Sequence, residues 1–459
     1  MPQFTGSLAK HPARTAMLWY LGGIVVGSIV LWQAFSGRHV GEKAITPTEA
    51  AFTATSALCV TGLAVRSTGD DFSFWGQLAI LVLIQLGGLG IMTVTTFIMF
   101  VTSGRVGLRQ KMIVAETLGG DPRADLKWVV RHVLVTTLAF EAAGFVLLAV
   151  RFLFSMPWRQ ALWHALFHSV SAFCNAGFSL NNNSLESYQG DVVVNVVIGA
   201  LIVCGGIGFP VMLDIARNWR GTWRERWDGL HLHSKLMLIG TAALLTFGAA
   251  AFLLLEWNNN LQGLPIWRRV MAATFHSITC RTAGFNSMPM ASMTNASLFV
   301  TILLMMIGAG PCSTGGGFKV STLMVLAVFA WNAFYGNTTL NLFRRTLPMA
   351  SVQRAVATLM LFAVLGGVAL TTLLLVEQSI LPHQQAQGVF LESTFEVVSA
   401  LGTVGLSTGL TDELTTAGRW IVIGLMFAGR LGPISVFVAL SHSGKQVRIQ
   451  YPSEEPLLG

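Results

Sequence analysis

Residues 55–63 read TSALCVTGL, residues 169–178 read SVSAFCNAGF, residues 276–285 read HSITCRTAGF and residues 397–406 read VVSALGTVGL. Aligned on Gly62, Gly177, Gly284 and Gly405, each stretch has small and hydroxyl-bearing residues five or six positions earlier and a Leu or Phe directly after the glycine. The glycines lie 115, 107 and 121 residues apart. Self-similarity at a near-constant period governs the reading of a whole chain before any single motif does. An apolar span precedes each stretch and another follows it, so the repeating unit is helix, short re-entrant segment, helix.

The following spans repeat as well, with QLGGLGIMT at 85–93, CGGIGFPV at 204–211, IGAGPCSTGGGFK at 307–319 and AGRLGPISV at 428–436. Glycine in membrane helices commonly reflects close packing, but two glycine motifs recurring in phase four times ask for more. Irregular backbone survives at membrane depth only where it lines a watery cavity or is buried in protein. Short helices ending at Val60-Thr61-Gly62, Asn175-Ala176-Gly177, Thr282-Ala283-Gly284 and Thr403-Val404-Gly405 would turn their last carbonyls toward a shared axis. Glycine permits the positive φ of such a turn and lets four backbones approach one ion. A ring of carbonyls of this kind can replace a potassium ion's hydration shell.

Composition sets the same frame. The 459 residues are 53% hydrophobic and only 11% charged, with a mean hydropathy of +0.63. Soluble domains carry about 25% charge. Stretches 15–37, 72–104, 192–213, 236–255, 282–318, 320–343 and 355–376 contain no Asp, Glu, Lys or Arg. Each matches or exceeds the roughly 20 residues that cross a ~30 Å hydrocarbon core. A soluble enzyme, a disordered chain and a disulfide scaffold are excluded. The apolar stretch 16–35 follows Lys10 and Arg14 as a signal peptide would, but it is longer than a signal peptide's apolar core and no A-x-A site follows it, so it reads as a retained first helix. Cys59, Cys174, Cys204, Cys280 and Cys312 form no C-x-x-C pair and read as small buried thiols.

The net charge of +8 is unevenly spread. Basic residues cluster at Lys10 and Arg14, over 105–131, over 217–235, at Arg344, Arg345 and Arg354, and at Lys445 and Arg448. The positive-inside rule makes these cytoplasmic and puts both termini inside. That side holds 18 basic and 8 acidic residues, the opposite loops 9 and 12. An acidic outer face would concentrate cations, although ordinary topology bias is by itself the better explanation. The basic loops are short and lack interleaved aromatics, so nucleic acid is not an expected partner.

With these motifs in hand, the chain resembles the Trk/Ktr/HKT superfamily of potassium transporters along nearly its whole length, and one apolar span before the first repeat is similar to the Ktr-type membrane subunit, Trk-type subunits having two more helices. The resemblance implies an all-α polytopic membrane protein, potassium-channel-like, with four M1-pore loop-M2 repeats: eight spanning helices plus four re-entrant pore helices around one pseudo-four-fold pore. The repeats are expected over 1–104, 105–216, 217–335 and 336–459. Some plant members carry serine at the first filter glycine, associated with sodium preference; Gly62 here implies potassium. The resemblance further implies a homodimer in a bacterial cytoplasmic (inner) membrane, docked on a cytoplasmic ring of RCK-domain subunits of the KtrA kind that bind ATP/ADP or NAD. The chain itself has no G-x-G-x-x-G and no phosphate loop, and no covalent cofactor is expected. Potassium is the expected substrate; sodium coupling, Trk-type potassium/proton symport and less selective monovalent cation transport stay open.

Residues 297–331 would make one helix about 50 Å long at ~1.5 Å per residue, too long for the bilayer unless tilted or broken. Gly308-Ala309-Gly310-Pro311 and Cys312-Ser313-Thr314-Gly315-Gly316-Gly317 supply a break, and Lys319 follows at membrane depth. This stretch, absent from the other repeats, is expected to be a mobile gate below the filter, as the family has there; a static kink with Lys319 snorkelling to the interface is the alternative. Arg430, alone among uncharged residues over 420–444, is expected to oppose cations in the pore; pairing with carbonyls freed by a helix break is the alternative, and the two are not exclusive. Glu141 could relay protons or bind sodium, or simply bond a neighbouring helix. His168 and His276 hold matching places before the second and third filters and read as packing residues. An integral-membrane enzyme would need convergent acids, bases or metal ligands, which the chain supplies only as scattered residues.

Overall fold

The computed structural model describes residues 12–33, 37, 44–89, 126–336, 340–343, 345–378, 382, 386 and 388–432. Lys10, the stretch 90–125 and the tail 433–459 lie outside the described residues, and with them much of the basic segment 105–131 and the end of the first repeat.

In chain order, the helices group by the glycine stretch they flank. The first holds α1 (Pro12–Trp32), α2 (Pro47–Leu58) and α3 (Phe74–Gly88); the second α4 (Leu126–Leu153), α5 (Trp158–Phe173) and α6 (Val192–Ile207), continued by α7 (Phe209–Arg217). A short α8 (Trp223–Gly229) leads to the third, with α9 (Leu232–Leu255), α10 (Ile266–Thr279), α11 (Asn295–Met306) and α12 (Val320–Phe334). The fourth has α13 (Met349–Gln378), α14 (Val389–Gly402), a four-residue α15 (Leu410–Glu413) and α16 (Thr416–Leu431). A two-stranded antiparallel hairpin, Asn341–Leu342 with Arg345–Thr346, sits between the third and fourth groups.

Among the described residues, three helices are long and apolar enough to cross a membrane alone, over 131–153, 232–255 and 349–377. α6 and α7 pass that test only together, bent by 94°. Shorter apolar helices cover Met17–Trp32, Phe74–Gly88, Asn295–Met306 and Val320–Phe334. The last two flank an extended stretch, so 295–334 is not one rod.

Local chemistry explains where the helices start. α2 begins on a capping box: Thr46 Oγ1 accepts from Glu49 N at 3.3 Å, Glu49 Oε2 accepts from Thr46 N at 3.0 Å, and Pro47 occupies the first turn. The helix after each glycine stretch has its own cap, Ser73, Asp191, Thr294 and Thr415, each accepting a backbone N–H three residues on. Each such cap contributes about 1 kcal/mol.

The core gathers on the short helices. Phe52, Phe167, Phe275 and Phe395 each lie nine or ten residues before their aligned glycine and are at most 2% exposed. Apolar side chains on the longest helices face outward instead, among them Val135, Leu138 and Val146 on α4 and Met360, Val364 and Val368 on α13. A core of short helices inside an apolar exterior is the inverse of a water-soluble pattern.

Candidate functional site: a ring of four glycines

Each short helix ends in the same backbone manoeuvre. Val60, Asn175, Thr282 and Thr403 adopt φ of 56°, 58°, 63° and 51°, each two residues before its glycine, and the glycines follow at 95°, 71°, 74° and 91°. Left-handed backbone at a non-glycine residue costs about 1–3 kcal/mol and persists only where its surroundings hold it. Here the hold is visible. The N–H of Thr61 donates to Ser56 O at 2.8 Å, that of Ala176 to Ser171 O at 2.7 Å, and that of Val404 to Ser399 O at 2.8 Å. In the third segment Ala283 N donates to Thr279 O at 3.0 Å, one residue nearer, because this segment is one residue shorter between its phenylalanine and its glycine. Ser56 Oγ and Ser399 Oγ also accept from Gly62 N and Gly405 N, both at 3.1 Å.

The four turns meet as a closed ring. A Cβ on Gly62 would lie 3.0 Å from Gly177 Cα, one on Gly177 2.9 Å from Gly284 Cα, one on Gly284 3.3 Å from Gly405 Cα, and one on Gly405 3.0 Å from Gly62 Cα. In each case the nearest or next-nearest atom is the carbonyl oxygen preceding the neighbouring glycine: Ala176, Ala283, Val404 and Thr61 in turn. Four carbonyl oxygens therefore alternate with four glycines, and no side chain fits between them. The buried hydroxyls of Thr61, Thr282 and Thr403 have no hydrogen-bond partner.

Behind the ring, the residue after each core phenylalanine is polar and buried: Thr53, His168, His276 and Glu396. Two of them brace the chain just beyond the glycine. His168 Nε2 is 3.0 Å from Ser179 Oγ, and Glu396 accepts from Ser407 Oγ at 3.0 Å and from Thr411 Oγ1. His276 instead meets Thr301 Oγ1 at 3.3 Å, with the Phe252 ring centroid 4.3 Å away. On the side where the chain continues past each glycine, a cavity of about 220 Å³ opens over all four glycines, with Arg66, Ser67, Asn182, Asn286, Ser407 and Asp412 in its wall.

The third group's extended stretch passes across the other side of the ring. A Cβ on Gly315 would collide with Thr282 Oγ1, and one on Gly316 with Thr403 Oγ1. Lys319 turns back onto this loop, its Nζ donating to Gly315 O at 2.8 Å and Gly316 O at 3.1 Å. Ser313 Oγ donates to Gly310 O at 2.6 Å, and the positive φ of Cys312 (53°) and Gly317 (68°) marks the loop's two corners. Arg430, near the end of α16, donates to Thr314 O, to Gly87 O at the end of α3, and through Nε to Tyr20 Oη on α1 at 3.2 Å. Two of these three acceptors are backbone carbonyls, a pairing that does not exclude a place for Arg430 on the ion path.

The elbow between α6 and α7 was not anticipated from sequence. Gly208, at φ 101°, turns the chain, and Pro210 starts the next helix. The loop docks into this elbow: Gly310 N donates to Gly206 O at 2.8 Å, Thr314 N to Gly205 O at 3.2 Å, and Phe209 N to Cys312 O at 3.3 Å. The signal was present, since Gly-Phe-Pro combines a residue free in φ with one lacking an amide.

Arg281 is a second unanticipated feature. It is buried, and its Nη2 donates to Thr241 Oγ1 on α9 at 3.3 Å while Nε has no partner. Glu141 contacts its neighbours across helices, accepting from Gln85 Nε2 at 3.2 Å and from the Cys174 thiol at 3.8 Å. Cys59, Cys174, Cys204 and Cys280 are free thiols, three of them buried.

The sequence profile of the family described as TrkH, cation transport protein, matches residues 22–449. The Ktr system potassium uptake protein B of Vibrio alginolyticus is 37% identical over 449 residues, which cover 97% of this chain and 94% of that protein. The protein of the same name from Bacillus subtilis is 37% identical over 452 residues, covering 98% and 97%. The crystal structure of the potassium transporter TrkH from Vibrio parahaemolyticus superposes with a TM-score of 0.71 over 93% of this chain and 83% of that one, at 18% identity, a likeness of fold.

Proposed function

This chain belongs to the TrkH family of cation transport proteins, within its Ktr branch, and we propose that it takes up potassium by passing the ion through the ring of four glycine segments. It is a transporter, not an enzyme. The observation that carries the proposal is the closed alternation of four carbonyl oxygens with four glycines. Carbonyl oxygens arranged this way substitute for the water an ion sheds, and the left-handed residue before each one supplies the turn. The partnerless hydroxyls of Thr61, Thr282 and Thr403 add further oxygens at the ring. The outer cavity then serves as the ion's entrance, and one pseudo-four-fold pore follows from four M1-pore-M2 units.

The loop with Gly310, Cys312, Ser313, Thr314, Gly315, Gly316 and Gly317 is the gate in this reading, lying where an ion leaving the ring would have to pass. Arg430 ties it to α3 and α1, and Lys319 stiffens it from within. A cytoplasmic RCK-domain ring would open it, acting on the basic inner segments of a homodimer whose termini face the cytoplasm of a bacterial cell. Sodium dependence is compatible with the same path.

Expression in a potassium-uptake-deficient bacterium at low potassium, with and without an RCK subunit, tests the activity. Growth should be restored, most strongly with the subunit; no rescue under any condition would remove the proposal. Glu141 belongs to the frame instead of the ion path, bonded as it is to Gln85 and Cys174. Glu141→Gln should leave potassium uptake within twofold of the parent at every external pH and sodium concentration. A tenfold fall, or lost sodium dependence, would return Glu141 to a coupling role.

A further inference from the structure

Away from the ring, the connection from α7 to α9 encloses a second cavity of about 310 Å³. This is within the ~300–1,000 Å³ range of ligand clefts. Trp219, Trp223 and Trp227 recur every fourth residue and wall it together with Ile215, Leu230 and Leu238, leaving Arg226 and Asn218 as its polar groups. The cavity is braced and preformed. Asn218 Nδ2 donates to Asp214 Oδ1 at 3.0 Å and Asp214 O at 2.9 Å, while Asp214 also accepts from His231 N at 2.9 Å and from Ser234 Oγ at 2.5 Å, tying α7 to the start of α9. α8 carries its own capping box at Thr222 and Glu225.

Its rim combines indole and guanidinium groups. Trp219 is 64% and Trp223 79% exposed. The Arg226 guanidinium carbon lies 5.2 Å from the Trp219 ring centroid, and its Nε donates to Gly221 O at 2.9 Å. Arg220 and Arg224 are exposed beside these tryptophans. Over 217–235 there are five basic residues and two acidic ones, and one of those two, Glu225, is engaged in its helix cap. α9, an apolar span, begins only at Leu232. The cavity is thus at the boundary between span and water, on the side the basic residues assign to the cytoplasm. Tryptophan concentrates at such boundaries, and the cytoplasmic leaflet is the anionic one, attracting basic side chains.

We propose that this cavity binds one anionic phospholipid, with acyl chain against Trp219, Trp223 and Trp227 and phosphate at Arg226 and the exposed Arg220 and Arg224. The proposal rests on the membrane reading but not on the ion path. A soluble regulatory protein is a poorer occupant, because the cavity is apolar within and cationic only at its rim.

Native mass spectrometry of the purified full chain, titrated with phosphatidylglycerol or with phosphatidylcholine of the same acyl chains, tests this without any transport measurement. One phosphatidylglycerol should be retained at least tenfold more tightly than phosphatidylcholine. R220Q/R224Q, whose side chains are exposed, should weaken phosphatidylglycerol at least fivefold and phosphatidylcholine little, and Trp223→Ala should weaken both. R159Q, at another Arg–Trp pair beside Trp158, should change neither. Equal retention of the two lipids by the parent protein, or undiminished phosphatidylglycerol binding in R220Q/R224Q, overturns the proposal. So does protection of a Trp223→Cys thiol by an RCK ring but not by phosphatidylglycerol.

Discussion

Gly405→Ala is expected to lower potassium uptake about 100-fold while the protein still reaches the membrane intact. Two penalties fall on this one methyl group. At φ 91° an L-residue is strained whatever the space, a cost of roughly 1–2 kcal/mol. The new Cβ would also strike the Thr61 carbonyl oxygen and lie 3.0 Å from Gly62 Cα. That oxygen must move, and it is one of four in the ring. An oxygen withdrawn from a partly dehydrated ion costs at least the ~1–3 kcal/mol of an unmade hydrogen bond in protein. Each ~1.36 kcal/mol is a factor of ten in rate, so a loss near two powers of ten follows. Gly409→Ala separates the two penalties, since Gly409 has φ 113° but open space around it. It pays the conformational cost alone, outside the ring, and should keep uptake within threefold. Isotope uptake into proteoliposomes reads both variants, with competition by sodium as a second readout in which Gly405→Ala should discriminate at least tenfold less. Parental uptake and selectivity in Gly405→Ala would mean that ions do not cross the ring.

The ring was legible because its constraint is local and repeated. A backbone that must turn at one fixed point leaves glycine there each time, and Gly62, Gly177, Gly284 and Gly405 announce themselves at near-equal spacing. The break in 295–334 was legible for a different reason, since a helix that long does not fit a bilayer. Less visible were features that vary in residue type while keeping their place. The left-handed position is Val60, Asn175, Thr282 or Thr403, and the buried polar position behind the ring is Thr53, His168, His276 or Glu396. Only the backbone angle and the burial unite them. The burial of Arg281 is not legible, because a position along the chain carries no information about depth. The contacts of Arg430 were hidden by distance along the chain, Thr314 and Gly87 being 116 and 343 residues away. A sequence shows that a buried cation needs acceptors; it does not show which helix ends will provide them.

Those acceptors make Arg430 the residue whose removal should most increase transport. Its guanidinium ties three elements together: Thr314 in the loop, Gly87 at the end of α3 and Tyr20 on α1. If the loop must leave the ring for ions to pass, the bond to Thr314 O breaks on opening, whereas those to Gly87 and Tyr20 can persist. A hydrogen bond from a charged donor contributes about 1.5–3 kcal/mol. Deleting it should shift the closed-to-open equilibrium by roughly 10- to 100-fold, so Arg430→Ala should raise initial uptake at least tenfold in the absence of a cytoplasmic partner. Lys319→Met acts within the loop, freeing Gly315 O and Gly316 O, and should raise basal uptake less. Because both side chains hold the same loop, the double variant should fall short of the product of the two effects. Loss of positive charge near the path could by itself speed cations, and the ratio of partner-stimulated to basal uptake tells the two causes apart. A purely electrostatic barrier lowers in open and closed states alike, leaving that ratio unchanged. A released latch raises the basal rate toward a ceiling that the stimulated rate has already approached, so the ratio must collapse. A ratio that stays at the parental value in both Arg430→Ala and Lys319→Met would therefore rule out the loop as the gate, even if uptake rose.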